Sequence, residues 1–475
     1  MKRGQLTCGA LVQGYLDRIA AYDQAGPKLN SIQTVNPDAL KQAAALDAKY
    51  RQSKKMAPLH CVPVLVKDQL ETTNMPTTYG SAMFKTFVPA RNATIVEKLV
   101  AADAIILAKT NLGEFAALGS GSAFGDCQNA YRIGYAPSGS SCGTGTAVAA
   151  NLGLVGIGED TAGSIRGPAS HESLVGLRPT LPLVSRFGAM PQGPSRDTLG
   201  PMTRTVKDTA LVLDVIAGYD PKDPVTAESV GKVPLTYSAA MTPSALKGVR
   251  VGLIRQPMAT ETDVKSAGYL EVRAKVNDAV SDIEAKGAAV VEMPEIADLM
   301  KLLAGSGSMS STYETEQATN AYLAEHPGSP IKSYKEIIES PLLNETRRKM
   351  MQPDAGHTMD EPAFLKQLQT RQVLRTAVLK AMADAKVDVI MYATFDYAPV
   401  PMPRGTPGSN RLLSTFTGYP AVTLPAGYSA QGLPIGIELS GRPFDEATLL
   451  KVAYGYEQAS KRRLPPSTAP ELASR

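Results

Sequence analysis

The stretch SGSSCGTGTA at 138–147 contains G-S-S-C-G, which fits the GxSxG pattern of a nucleophile elbow and offers Ser141 as an attacking serine. Such a serine needs a base. The chain holds four histidines, His60, His171, His326 and His357, and none sits late in the chain, where the order of an α/β-hydrolase triad places one. Another group has to take the proton. Lys67 ends the apolar run VPVLV at 62–66. A lysine at the mouth of a buried strand loses hydration, which favours the neutral amine that can accept a proton. A second Gly/Ser cluster, GIGEDTAGSIRGPAS at 156–170, follows the first. Ser140 could relay a proton between Lys67 and a nucleophilic Ser164, and the small residues of EDTAGS would let successive backbone N–H groups converge on a developing oxyanion.

These residues work together only if the fold brings them together. Between the serine clusters lie the helical stretch TAVAANLG and the strand LVGIG. A helix of about ten residues rises roughly 15 Å and a strand of about five spans roughly 17 Å. The chain therefore goes out and comes back, and both serine loops can meet at one edge of a sheet. Further strands are predicted at CVPVLVKD, AIILAKTN, GVRVGLIR, VDVIMY and PAVTLPAG, with one polar face on GVRVGLIR. Helices are predicted over 6–22, over 39–50 and over 205–217, the last opening on Thr-x-x-Asp and stopping at Gly218. Strands interleaved with helices argue for an α/β sheet. The region 225–390 is mainly helical in pattern.

Composition sets the outer limits. The chain has 475 residues, 43% hydrophobic and 20% charged, with no tryptophan. No apolar run is long enough to cross a membrane. Its net charge of +4 is spread without a basic stripe, which argues against nucleic acid as a ligand. Cys8, Cys61, Cys127 and Cys142 lack CxxC or CxxH spacing, so neither a metal site nor a disulfide framework is indicated, and they read as buried free thiols. Residues 1–23 lack the apolar core of a signal peptide. A cytoplasmic protein is expected, with a signal removed upstream of Met1 left open.

The chain resembles the amidase signature family, which uses a Ser–cis-Ser–Lys triad. The segments PLHCVPVLVKDQLETTNMPTTYGSAM, KTNLGEFA, SAFGDCQNAY, SGSSCGTGTA, GEDTAGSIRGPAS, TGYPAVTLPAG and GLPIGIELSGRPFDEATLL occur in the family's order. The resemblance implies one domain over 1–475, a large twisted mixed β-sheet flanked by helices on both faces, with 225–390 folded against it near the substrate pocket. It puts Lys67 in the place of the base, Ser140 in that of the bridging serine and Ser164 in that of the acyl-forming nucleophile. Thr161, Ala162, Gly163 and Ser164 fall on the oxyanion segment, and Ser141 on a serine that supports the lysine. The sequence departs from the family's glycines at Ser138, Cys142 and Ala162, and from its usual threonine at Glu159.

The flanking residues then divide into roles. Asp160 and Arg166 are expected to form an ion pair that fixes the loop; Glu159 is either another member of that pair or a solvated strand end, and the second is the expectation. Gly119, Ser120 and Gly121 could form a wall of the substrate channel. Met309, Tyr313 and Tyr322, without an obvious arginine pair, favour a neutral, largely apolar acyl or aryl group. The expected function is hydrolysis of a C–N bond in aryl amides or anilides, and in carbamates of the urethane type, without metal or cofactor, by a monomer or homodimer. Two alternatives stay open: an amidotransferase subunit that works with partner proteins on aminoacyl-tRNA, and a catalytically silent binding protein that uses the serine loop as an anion nest.

Overall fold

The computed structural model describes residues 1–116, 119 and 121–472. Its framework is an eleven-stranded mixed sheet. In chain order the strands are β1 (Ile32–Val35), β2 (Pro63–Lys67), β3 (Ile105–Thr110), β4 (Val155–Asp160), β5 (Val175–Arg178), β6 (Thr198–Thr203), β7 (Arg250–Leu253), β8 (Ala289–Glu292), β9 (Val389–Ala393), β10 (Ala421–Tyr428) and β11 (Pro434–Ser440). Their order across the sheet is β1-β3-β2-β4-β6-β5-β10-β11-β9-β7-β8. β2 runs parallel to both β3 and β4, while β4, β6, β5, β10, β11 and β9 pair antiparallel in succession.

Alternation along β2 shows why both faces carry helices. Val64 and Val66 pack into one apolar cluster, with Leu99, Leu213 and Leu449, and Leu65 into another, with Val12, Val148 and Ala169. Successive side chains of a strand point to opposite faces, so Lys67 follows Leu65. Helices α1 (Cys8–Tyr22), α2 (Ala39–Ser53), α3 (Thr94–Ala101), α4 (Cys142–Ala149), α5 (Arg166–His171) and α6 (Val206–Ile216) build the first half. The predicted capping of α6 is present, with Thr205 accepting from the amide of Asp208. Between 225 and 390 the chain adds β7, β8 and helices that include Ala267–Glu284 and Pro362–Asp384. β7 lacks the expected polar face, since Val251, Gly252 and Leu253 are all buried. Among the described residues no helix is long and apolar enough to cross a membrane.

The four cysteines correct the reading of free thiols. Cys8 is joined to Cys61 and Cys127 to Cys142, with Cα separations of 5.4 Å and 6.1 Å, inside the range a disulfide spans. Spacing along the sequence carried no sign of this. The start of α1 meets the turn before β2, and the segment after the hairpin 121–126 meets the start of α4. In the chain-entropy account the bridges, which enclose 53 and 15 residues, stabilise by about 4 and about 3 kcal/mol. Thiol titration in denaturant without reductant is expected to find no free thiol, and reduction to lower the unfolding temperature. Four reactive thiols in the unreduced protein would return them to the free state.

Candidate active site

Three pieces of sequence converge at the end of β2 and β4. The first is Lys67, with no exposed surface. Its Nζ lies 2.8 Å from Ser140 Oγ and 2.8 Å from Glu159 Oε2. The lysine does not pair with its neighbour Asp68, whose carboxylate is taken by Lys109 at 2.8 Å and by Thr78. The second piece is the loop that enters α4. Ser140 and Ser141 are fully buried, and the Gly139–Ser140 peptide is cis. Gly139 sits so close to Gly119 that a Cβ would fall 1.8 Å from its carbonyl oxygen, which excludes any larger residue. Ser138 adopts φ 63°, a left-handed conformation that glycine holds at less cost. Ser141 Oγ donates to the Glu159 carbonyl at 3.1 Å, which Lys67 Nζ also approaches, at 3.4 Å.

The third piece is the turn from β4 into α5. It carries Ser164, 6% exposed, and Ala162, 5% exposed. Ala162 is not among the residues with positive φ, whereas Gly163 has φ 109°, so the alanine meets no backbone penalty there. The amide of Gly163 donates to Asp160 Oδ1 at 2.7 Å. Among the described residues the amides of Thr161, Ala162 and Ser164 have no such partner.

Asp160 and Arg166 form the expected ion pair, at 3.1 Å with both side chains fully buried. The network is larger than the sequence suggested. Arg178 also binds Asp160, at 2.9 Å, and Arg166 also binds Glu438, at 2.7 Å. Burial opposes ionisation of Asp160, but the charges of Arg166 and Arg178 outweigh it and hold its carboxyl well below the ordinary carboxylate range. Glu159 is the clear correction at the site. Expected as a solvated strand end, it is 1% exposed and ion-paired to Lys67. Its other oxygen accepts from Thr161 Oγ1 at 2.7 Å. Periodicity could not show this, because the partner comes from the neighbouring strand.

No histidine enters the site. His171 Nδ1 meets the Ala136 carbonyl at 3.0 Å, and burial, aided by the charge of Arg411, pushes its imidazole down to about 3. His60, His326 and His357 are engaged by Asp103, Glu71 and Glu361.

A cavity of about 350 Å³ opens beside the serine loops and is lined by Gly119, Gly121, Ser138, Gly139, Met309 and Phe395 among others. Ser120 lies outside the described residues. Of the three residues expected to line the pocket only Met309 is here. Tyr313 packs against Phe364 and His357, and the Tyr322 hydroxyl is bound to Glu71 at 2.6 Å. Arginine is present after all: Arg404 and Arg411 both border the cavity. Arg411 is committed to the Gly163 carbonyl at 2.7 Å and to Ser409 Oγ at 2.9 Å. Arg404 is exposed at a rim it shares with Glu261 and Asp126, so the two charge signs are mixed there.

The family profile described as Amidase matches residues 10–450. The chain is 34% identical to a glutamyl-tRNA(Gln) amidotransferase component from Thermosynechococcus vestitus, over 96% of each chain. It is 32% identical to a probable amidase of Arabidopsis thaliana, over 97% of this chain and 88% of that one. Among solved structures it resembles the native peptide amidase of Stenotrophomonas maltophilia, with TM-score 0.87 and 35% identity over 98% of this chain and 96% of the other.

Proposed function

Because this chain belongs to the amidase signature family, we propose that it hydrolyses the C–N bond of linear amides through an acyl-enzyme on Ser164. Ser164 Oγ attacks the carbonyl carbon as its proton passes to Ser140 Oγ, and the proton of Ser140 passes to the Lys67 side. The amides of Thr161, Ala162 and Ser164 stabilise the oxyanion. The relay then runs backwards, the leaving nitrogen takes the proton, and water repeats the sequence to release the acid. The observation that carries this reading is the 2.8 Å contact between Lys67 Nζ and Ser140 Oγ, with both side chains sealed from solvent.

For the substrate we propose neutral amides with an apolar acyl or aryl part, aryl amides and anilides first and aryl carbamates by the same chemistry. Met309 and Phe395 in the cavity support this. The likeness to a peptide amidase favours a second set, the amides of short apolar peptides. The isolated protein is expected to release nitroaniline from neutral anilides, or ammonia from blocked apolar peptide amides, faster than it acts on asparagine, glutamine or urea derivatives, and EDTA is expected to leave the rate unchanged. Activity seen only with added partner proteins and aminoacyl-tRNA would replace this reading with that of an amidotransferase component.

A further inference from the structure

We propose that Glu159 is a positioning residue that shares the relayed proton with Lys67, the carboxylate being the station where that proton comes to rest. This rests on the triad reading above. It starts from a carboxylate that the relay of Ser164, Ser140 and Lys67 leaves unused: Glu159, 1% exposed, lies 2.8 Å from Lys67 Nζ.

The geometry fixes the arrangement. Lys67 Nζ touches Ser140 Oγ on one side and Glu159 Oε2 on the other, each at 2.8 Å. Alternation along β4 puts Glu159 with Val155 and Ile157, away from the helical face that holds Ser140. There it lines a second cavity, of about 270 Å³, with Met190, Asp197, Leu199 and Tyr322. Glu159 thus stands between the buried amine and a second chamber.

The charges around the pair are few and mostly spent. Lys67 comes from β2, Asp197 from the segment entering β6, and Arg178 from β5, where it is already bound to Asp160. Across the cavity Arg186 is paired with Asp223, Arg91 with Glu71 and Glu325, and Lys222 with Glu97. Among the described residues no second cation competes with Lys67 for the carboxylate. Burial and the charge of Asp197 push the Glu159 carboxyl up against the opposing pull of Lys67, so it holds a proton more readily than an ordinary carboxylate.

The proton balance is closed. In the resting pair one proton is held between amine and carboxylate, as ammonium beside carboxylate. When Ser164 attacks, its proton moves to Ser140, the proton of Ser140 moves to Lys67, and one of the Lys67 protons moves to Glu159. The pair then holds two protons, and returns one along the same path when the C–N bond breaks. A lone lysine would instead have to be neutral before the reaction begins. The acid limb of kcat/KM therefore follows loss of the second proton from the pair, a carboxyl-like step, rather than loss of the last proton from an amine.

The test is the pH profile of kcat/KM on a neutral anilide for the full chain and for Glu159→Gln, which keeps the shape and removes the acceptor. The acid limb of the variant is expected to move to higher pH by at least about one unit, with a loss of about tenfold or more at slightly acid pH that recovers in alkali. Glu159→Thr should show the same displaced limb, which keeps the test intact where the glutamine variant folds poorly. An unmoved limb in both variants overturns the proposal. So does a limb moved to lower pH, which would mean that the carboxylate only holds the lysine charged. Ser164→Ala in the same assay separates this from the reading beneath it: a Ser164→Ala protein that still turns over refutes the triad, whatever the Glu159 variants do.

Discussion

Ser164→Ala is expected to lower kcat by on the order of 10⁴-fold or more while leaving the fold unchanged. The substitution removes one oxygen from a side chain that sits at 6% exposure in a turn, and among the described residues no hydrogen bond of the surrounding network depends on that oxygen. What is lost is the atom that bonds to the acyl carbon. Lys67→Ala and Ser140→Ala are expected to be severe for a related reason, because each breaks the 2.8 Å contact that the proposed relay uses. Adding either to Ser164→Ala should cost almost nothing more, since residues that act as one unit lose their effect together. Turnover numbers with matched thermal unfolding curves check this. Losses that multiply independently would mean that the three residues do not form a relay.

The largest effect on stability is expected from Asp160→Asn. Asp160 is fully buried between Arg166 and Arg178, and it also accepts from the amides of Gly163 and Ile165. Asparagine keeps the size but removes the charge, leaving two buried guanidinium groups with Glu438 as the remaining carboxylate on Arg166. Breaking a buried pair on one side costs about 3–5 kcal/mol. The same contacts hold the turn that carries Ser164, so activity should fall with stability. The pH dependence has a definite sign. A carboxyl held below its unfolded value contributes fully above the unfolded value, about 3.9, and the contribution fades only as pH falls toward the folded one. The stability gap between the native protein and Asp160→Asn should therefore be flat through neutral pH and narrow only in strong acid. Chemical denaturation of both proteins at several pH values measures it, and a gap that grows on acidification would contradict the assignment.

The candidate residues were legible where their signal is local. Lys67 at the end of an apolar run, Ser140 before a Gly/Ser-rich helix start and Ser164 in a turn between strand and helix each announce themselves by their immediate neighbours, and the out-and-back path between the two serine clusters follows from helix rise and strand length alone. What stayed hidden depends on partners from elsewhere in the chain. Glu159 looks like a strand end exposed to water until β2 supplies Lys67 beside it. Arg178 and Glu438 reach the Asp160–Arg166 pair from β5 and β11. The Tyr313 and Tyr322 rings have types suited to a substrate pocket but are spent on other contacts.

The same division holds for the fold. Strands rich in β-branched residues could be read, whereas β6, with the sequence TLGPMT, could not. Its glycine and proline argue against a strand, yet it lies within the sheet between β4 and β5. Pro201 stands opposite Ile157 there. The disulfides were missed for the same reason, since proximity of Cys8 to Cys61 is a property of packing.

The central claim is that Ser164 carries the acyl group. It is tested most directly by trapping the native enzyme with a serine-directed phosphonate or a slowly deacylating carbamate, and locating the adduct by fragment sequencing. Residues 133–166 contain no internal lysine or arginine, so after reduction one tryptic peptide carries Ser138, Ser140, Ser141 and Ser164 together and the comparison is internal. The adduct is expected on Ser164, at one per chain, with loss of activity in step with labelling. An adduct on Ser141, or full inactivation with Ser164 unmodified, would contradict the account.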